Sequence, residues 1–281
     1  MHTITMHNDP SPKPTKASSG ESADSLENAL PEGLVVDRAW LNARGFSRPR
    51  VDYYLRAGRL HAVARGAYRR PGPPLKWEHM VYSLQVLGYP VHVGGRAALE
   101  LQGYTHYLPL GGRQRVDIYG VRHLSPWLLA MDTPVRFELH GTQLFSELSA
   151  EAITAKPFGH WDWLIRFSTP ELALLELLAE VKDAADFSVV DKFFESAATL
   201  RPAMLKALLK ACTQVKAKRL FLWFAARHAH AWLKKLDVSE VDLGSGKRVI
   251  VQGGALDAKY QITVPREMMR ETTNGAEPDF F

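Results

Sequence analysis

The chain has 281 residues and a formal net charge of +5, with 46% hydrophobic and 23% charged residues, which is the balance of an ordinary globular protein of about two domains. No apolar run reaches the ~18 residues that a membrane span needs, and the first residues lack a secretory signal. The single cysteine, Cys212, excludes a disulfide framework and a cysteine-rich zinc site, so we expect a cytoplasmic protein with no membrane partner.

The start of the chain has the composition of an unstructured segment. Residues 1–33 are rich in Ser, Thr, Pro, Asn and Asp and poor in large apolar side chains. Such a segment buries too little surface to order itself, so we predict a disordered tail, with order beginning near Leu34.

Residues 34–72 are predicted to form a winged helix-turn-helix. Asp37 can cap a first helix that Gly45 ends, and Ser47 can cap a second helix that stops at Gly58. Two short β-prone pieces follow, separated by a three-residue loop with a glycine, as in a β-hairpin. This order of elements is typical of DNA-binding domains that place the start of the second helix in the major groove.

The same region has a strong excess of arginine. Residues 37–70 carry nine arginines, two aspartates and no lysine. The planar arginine fork suits phosphates and base edges, which favours DNA binding over a small helical cap with a solvated arginine face. The predicted DNA-binding residues are Arg44, Ser47, Arg48, Arg50, Tyr53, Tyr54, Arg56, Arg59, Arg65, Arg69 and Arg70.

The stretch PGPPL at residues 71–75 predicts a domain boundary. We expect residues 76–270 to form a larger mixed α/β domain, followed by a flexible tail over residues 271–281, so the fold class is α+β. The predicted elements are a helix from Lys76 to Gly88, a helix at 96–101, strands at 115–119, 135–139 and 163–167, a helix that Ser168 caps, helical segments to about Leu236, and a hairpin around Gly253.

Four blocks of the sequence resemble, in the same order, the AbiEi-type antitoxins. The first block is residues 35–71, which contain WLNARGFSRPRVDYYLRAGRLHAVARGAYRRP. The others are VHVGGRAALELQGYTHYLPLGG, FGHWDWLIRFSTPELALLELL and GSGKRVIVQGGALDAKYQITVPREM. One departure is the lack of a full first helix before Val35, so the domain is either trimmed or starts with Leu26–Leu30.

The resemblance implies an antitoxin of a type IV toxin–antitoxin pair in an abortive-infection system, active in phage defence. Its N-terminal domain would repress its own operon by binding inverted repeats in double-stranded DNA, with dimerisation on that DNA. Arg48, Arg50, Arg56 and Arg65 match the contacting arginines by position. The C-terminal domain would counter a nucleotidyltransferase-like toxin without a tight complex. Neither catalysis nor a cofactor or metal is expected.

Two other functions remain open from the residues alone. Asp117 and Glu138 lie on neighbouring predicted strands, as in the Asp…Glu-x-Lys pattern of metal-dependent nucleases, but His140 replaces the lysine. Solvent-side strand carboxylates explain this pair more simply. A plain transcriptional regulator without a toxin partner is the other alternative.

Three further motifs are weak. His160, Trp161 and Asp162 could form a histidine–aspartate pair, but no nucleophile accompanies them. His228 and His230 are two apart in a predicted helix, so they should not share a face or bind a metal. GSGK at residues 244–247 lacks the phosphate-loop pattern and reads as a turn.

A second basic segment, residues 201–235, carries nine lysines and arginines and no acid. It predicts either a surface for a phosphate-rich partner, such as nucleic acid or the toxin's substrate, or a solvated helix face. The candidate residues are Lys206, Lys210, Lys216, Lys218, Arg219 and Arg227.

Overall fold

The computed structural model describes residues 25–104, 114–120, 123, 126–131, 135–159 and 162–272. Its fold is mixed α+β, with a small N-terminal domain and a larger mixed α/β C-terminal domain. The elements of the first domain are α1 (Leu26–Ala29), β1 (Val36–Asp37), α2 (Arg38–Ala43), α3 (Arg48–Arg56), β2 (His61–Ala64) and β3 (Ala67–Arg69).

Helices α2 and α3 begin and end where the local sequence predicts. The Asp37 carboxylate accepts a hydrogen bond of 2.8 Å from the Trp40 backbone N–H and so caps α2. Gly45 and Gly58 follow the two helices with φ of +81° and +67°, a backbone conformation that costs glycine little. Ser47 holds the N-cap position of α3, but its side chain makes no cap hydrogen bond.

The predicted hairpin is present and belongs to a three-stranded antiparallel sheet in the order β1-β3-β2. Its turn consists of Arg65 and Gly66, and the β2–β3 register shifts between Ala62 and Ala64. Strand β1 precedes α2 directly, so the sheet ties the hairpin to the start of the two helices.

The predicted N-terminal tail, residues 1–33, includes residues that are ordered. Ser25 caps the short helix α1, and the side chains of Leu26 and Leu30 are fully buried in the core of the first domain. The apolar spacing of these two leucines, four residues apart, supplies the burial that the surrounding composition lacks. The alternative start at Leu26–Leu30 is therefore correct, and residues 1–24 lie outside the described part of the chain.

The second domain is built on a five-stranded sheet in the order β6-β5-β4-β8-β7. The β4–β8 and β5–β6 pairs are parallel, and the β4–β5 and β7–β8 pairs are antiparallel. Its strands are β4 (His92–Val93), β5 (Gln114–Tyr119), β6 (Val135–His140), β7 (Ile153–Phe158) and β8 (Trp163–Ser168), with a separate hairpin of β9 (Ala255–Asp257) and β10 (Ile262–Val264).

The second domain has eight α-helices among the described residues. They are α4 (Trp77–Val86), α5 (Gly95–Leu101), α6 (Pro126–Ala130), α7 (Pro170–Glu180), α8 (Ala184–Ser196), α9 (Pro202–Ala211), α10 (Val215–His228) and α11 (Arg266–Thr272). Four of them, α5, α8, α9 and α10, pack against α7, whose leucines are mostly buried. The prediction that Ser168 caps α7 is wrong, because Thr169 holds the N-cap position. The Ser168 hydroxyl instead donates to Glu176 at 2.7 Å. Within the described ranges, no helix is long and apolar enough to cross a bilayer.

The two domains are packed together rather than joined by a loose linker. The Val35 backbone N–H donates to the buried Ser83 hydroxyl of α4 at 2.9 Å. Tyr82 of α4 stacks on Trp163 of β8 with ring centroids 4.5 Å apart, and Trp163 is buried in the apolar core of the first domain. Strand β2 of the hairpin contacts α6. Residues 71–75 therefore connect two parts of the chain that pack against each other.

Candidate nucleic-acid interface

The start of α3 presents polar groups to solvent. Ser47 and Arg48 are exposed, and the Ser47 hydroxyl is not used to cap the helix. Pro49 occupies the first turn, where its missing N–H costs no helical hydrogen bond. The helix N-terminus also carries a partial positive charge, which favours an approaching phosphate. Ser47 and Arg48 therefore stay predicted contacts to DNA.

Arg50 is held in place by the aromatic core below it. Its Nε donates to the Tyr54 hydroxyl at 3.1 Å, and its guanidinium lies 4.8 Å from the centre of the Phe46 ring. The Tyr54 side chain is itself only 6% exposed. Tyr54 therefore supports Arg50 from the core and is not placed to touch DNA, contrary to the sequence prediction.

The middle and end of α3 add an exposed aromatic side chain and a cation. Tyr53 is 56% exposed, the largest value among the exposed large hydrophobic residues that the structure describes. Arg56 is exposed and its Nε donates to the Asp52 backbone carbonyl at 3.3 Å. Arg44 lies over the Trp40 ring at 3.7 Å, in the turn before α3. Arg65 is exposed at the hairpin tip.

Three of the predicted DNA-binding arginines are engaged within the protein. Both Arg59 Nη2 contacts to the Glu27 carboxylate are short, at 2.7 and 2.8 Å, and the hydrogen bond from Arg59 lowers the pKa of Glu27. Arg69 donates to the carbonyls of Gly72 and Pro73 at 2.7 and 2.8 Å. Arg70 reaches carbonyls at the end of α1. These side chains fasten α1 and the domain boundary to the sheet.

One residue of this surface, Arg38, was not among the predicted DNA-binding residues. Arg38, the first residue of α2, donates from Nη2 to the Tyr68 hydroxyl of β3 at 3.0 Å. The same Nη2 lies 3.6 Å from Asp52 Oδ1 of α3. Arg38 was counted in the basic segment, but its position between the hairpin and α3 depends on the tertiary fold.

Two candidate cations of the second basic segment are paired with acids at the surface. Lys206 Nζ contacts Asp237 at 2.6 Å and Glu240 at 3.0 Å, and Lys210 Nζ contacts Glu240 at 2.6 Å. The hydrogen bond from Lys206 holds the pKa of Asp237 well below its usual range. The balancing acids lie just beyond residue 235, which is why the segment looks unopposed in the sequence.

The other four candidate residues of that segment are used inside the domain. Lys216 Nζ donates to the Ala179 and Val181 carbonyls at 2.7 and 2.9 Å, at the end of α7, and burial lowers its pKa. Lys218 and Arg219 are 4% and 3% exposed. Arg227 pairs with Asp191 at 3.0 Å. These four side chains therefore stabilise the fold, and a phosphate-binding surface in this segment stays a prediction.

The carboxylates considered for a nuclease site do not act as a pair. The β5–β6 register places Asp117 beside Glu138, but the Glu138 carboxylate pairs with Arg136 at 2.6 Å. Asp117 accepts from His140 Nε2 at 2.7 Å and from Arg115. Within the described ranges, no group of three or more His, Cys, Asp or Glu side chains could hold a metal ion.

Glu180 of α7 joins the cluster of Asp117, His140 and Arg115. Its Oε1 lies 3.4 Å from His140 Nδ1. The sequence could not predict this contact, because the two residues are far apart in the chain. Burial opposes the charge on His140, yet its hydrogen bonds to Asp117 and Glu180 raise its pKa to about 9. Asp117, Arg115 and Glu180 also line a cavity of about 270 Å³ beside α5 and α8.

The remaining motifs have structural roles. Gly244 and Gly246 have φ of +60° and +72°, and their carbonyls accept from Arg219, so GSGK is the predicted turn. His228 and His230 do stack, with centroids 5.9 Å apart, because Ala229 adopts φ +46° and ends α10. His160 and Trp161 lie outside the described residues.

Comparisons with known proteins divide the chain near residue 110, whereas the sequence prediction placed the domain boundary at residues 71–75. Residues 113–265 match the family model of the type IV toxin–antitoxin transcriptional regulator and AbiEi antitoxin, and residues 20–110 match the model of the AbiEi antitoxin N-terminal domain. No curated protein sequence matches the chain. The crystal structure of the RV2827C protein from Mycobacterium tuberculosis is similar in fold, with a TM-score of 0.51 and 14% identity over 86% of this chain and 90% of that one. Because one family model alone covers more than half of the sequence, the chain belongs to the AbiEi antitoxins, non-enzymatic transcriptional regulators of type IV toxin–antitoxin systems.

Proposed function

We propose that the N-terminal domain is a winged helix-turn-helix that binds operator DNA upstream of its own gene, with α3 in the major groove. The observation that carries this proposal is the exposed row at α3, from Ser47 and Arg48 at its start to Tyr53 and Arg56 beyond. The aromatic core orients Arg50 toward the same end. Major-groove reading by the N-terminal part of a helix uses this arrangement.

The exposed arginines divide into two roles. We assign Arg48 and Arg50 to bidentate pairs with guanine edges, and each good pair contributes about 1–3 kcal/mol of discrimination. We assign Arg44, Arg56 and the hairpin-tip Arg65 to phosphates. Phosphate pairing provides most of the affinity and makes it strongly dependent on salt.

The C-terminal domain is the part we assign to antitoxin activity. It counters a nucleotidyltransferase-like toxin, functionally and without a tight complex. Two copies of the chain occupy inverted repeats in double-stranded DNA and dimerise there. The protein acts in the cytoplasm. The family membership supports these assignments.

The test of operator binding is fluorescence anisotropy with the DNA upstream of the gene and a random-sequence competitor, at two salt concentrations. Arg48→Ala/Arg50→Ala should lose the preference for the upstream DNA. Arg136→Ala is the matched control, because Arg136 is 75% exposed but lies on the sheet of the other domain. Equal binding of the wild type to both DNAs would refute the assignment.

Antitoxicity needs a separate test. The chain is expressed together with the product of any neighbouring nucleotidyltransferase-like gene, and growth is measured. Rescue of growth by a chain that carries Arg48→Ala/Arg50→Ala would place antitoxicity apart from DNA binding. Failure of the wild-type chain to rescue growth would leave a regulator without this toxin partner.

A further inference from the structure

Helix α3 carries one acid among its arginines and tyrosines. Asp52 lies one helical turn after Arg48 and directly before Tyr53, and its side chain is 47% exposed. A carboxylate at this place repels the phosphates that the neighbouring cations attract. Affinity for DNA in general therefore gives no reason for an acid here, whereas recognition of a particular base does.

The carboxylate of Asp52 is only loosely engaged by the protein. Within the described part of the chain, its cationic neighbour is Arg38, whose Nη2 lies 3.6 Å from Asp52 Oδ1. This distance is too long for a hydrogen bond. The oxygens of Asp52 are therefore able to accept a hydrogen bond from a group outside the protein.

Arg38 is held from the other side by the hairpin. Its Nη2 donates to the Tyr68 hydroxyl at 3.0 Å, and its guanidinium lies 5.4 Å from the centre of the Tyr68 ring. Its Nη1 is buried with no hydrogen-bond partner among the described residues. Strand β3 thus fixes Arg38 beside the Asp52 carboxylate.

The chemistry of the major groove then limits what Asp52 can read. A carboxylate only accepts hydrogen bonds, and phosphates, guanine and thymine present acceptors at their major-groove atoms. Adenine presents a donor amine with the acceptor N7 next to it, which repels the second carboxylate oxygen. Cytosine presents its N4 amine without an adjacent acceptor on the same base.

We propose that Asp52 is a specificity-determining residue that selects cytosine at one position of the operator half-site by accepting a hydrogen bond from the cytosine N4 amine. Arg38 is the positioning residue, acting through the Asp52 carboxylate. This inference rests on the proposed binding of DNA by α3. It adds a base preference that arginines cannot provide.

The experiment measures anisotropy on the shortest upstream duplex that the wild type binds and on its complete set of single-base-pair substitutions. The wild type should favour cytosine at one position by about tenfold over the other bases, the scale of one good base contact. Asp52→Ala should lose the preference at that position and keep the others. Asp52→Asn should shift the preference there toward adenine, whose N6 and N7 suit an amide.

Glu27→Gln provides the matched control, because it removes one exposed carboxylate from α1 in the same domain. It should leave every base preference unchanged. Thermal melting of each variant shows whether the domain is folded, and the near-isosteric Asp52→Asn keeps the test valid if Asp52→Ala melts early.

Two results would overturn the inference, and they are distinguishable. If both Asp52 variants tighten binding to all duplexes equally, the acid acts through its charge alone, although operator binding stands. If the wild type shows no base preference at any position, operator binding itself fails and the role of Asp52 falls with it.

Discussion

His140 of β6 and Asp117 of β5 are joined across two parallel strands, with Nε2 of the imidazole 2.7 Å from Oδ1 of the carboxylate. Glu180 approaches the other ring nitrogen at 3.4 Å, and Tyr119 stacks on the ring with centroids 4.4 Å apart. The histidine is therefore a buried cation held between two carboxylates. It fastens the sheet to the end of α7.

This cluster predicts a loss of stability at alkaline pH. The pKa of His140 is about 9 in the folded chain and near 6.5 in an unfolded chain. The raised pKa means that the stabilisation is complete below about pH 6.5 and is lost as the pH rises through about 9. One pKa unit corresponds to about 1.36 kcal/mol, so the loss is at most about 3 kcal/mol.

Urea unfolding between pH 6 and pH 9.5 measures this loss. His140→Gln should be less stable at pH 6 and should show a flatter dependence on pH than the wild type. His61→Gln, which changes an exposed histidine of the hairpin, should keep the wild-type dependence. Parallel curves for the wild type and His140→Gln would show that His140 is not the titrating group.

The buried cation Arg219 of the second domain leads to a stability prediction. Arg219 is 3% exposed and donates to the carbonyls of Leu243, Gly244 and Gly246 at 2.6–3.0 Å. Arg219→Met removes the hydrogen bonds that the buried guanidinium donates, and a hydrogen bond to a charged group contributes about 1.5–3 kcal/mol. We expect a loss of about 3 kcal/mol or more in the free energy of unfolding, measured by urea denaturation.

Lys206→Met tests the contrast within the same segment. Its ion pairs with Asp237 and Glu240 are on the surface, where such pairs contribute little. The urea midpoint of this variant should stay close to that of the wild type. A comparable loss in both variants would mean that burial does not separate their roles.

These examples show what the sequence could predict. Asp37, Gly45 and Gly58 act on their immediate neighbours, so the bounds of α2 and α3 follow from local signals. Whether a cation is paired within the fold depends on partners that are distant in the chain, which local signals do not reveal. Lys206 meets Asp237 over 31 residues, and His140 meets Glu180 only because α7 packs beside β6.

The start of the ordered chain gives a second stability prediction. Leu26 is fully buried in the core of the first domain, although it lies in a segment of disordered composition. Leu26→Ala removes this apolar surface and leaves a cavity, at a cost of about 2–5 kcal/mol. Thermal unfolding should show a lower midpoint. Glu32→Ala, three residues after the end of α1 at a half-buried position, should change the midpoint much less.

The last prediction separates arginines that contact DNA from arginines that hold the fold. Arg48 is exposed at the start of α3, whereas Arg69 donates both terminal nitrogens to the Gly72 and Pro73 carbonyls. Arg48→Ala should weaken binding to upstream DNA and relax one base preference, because its guanidinium is proposed to pair with a base edge. Arg69→Ala should leave the affinity and the base preference unchanged while it lowers thermal stability slightly, since Gly72 and Pro73, whose carbonyls it serves, are exposed. Anisotropy titrations on the upstream duplex and its single-base-pair substitutions measure both variants, and an equal loss of affinity and base preference in the two would contradict this division of roles.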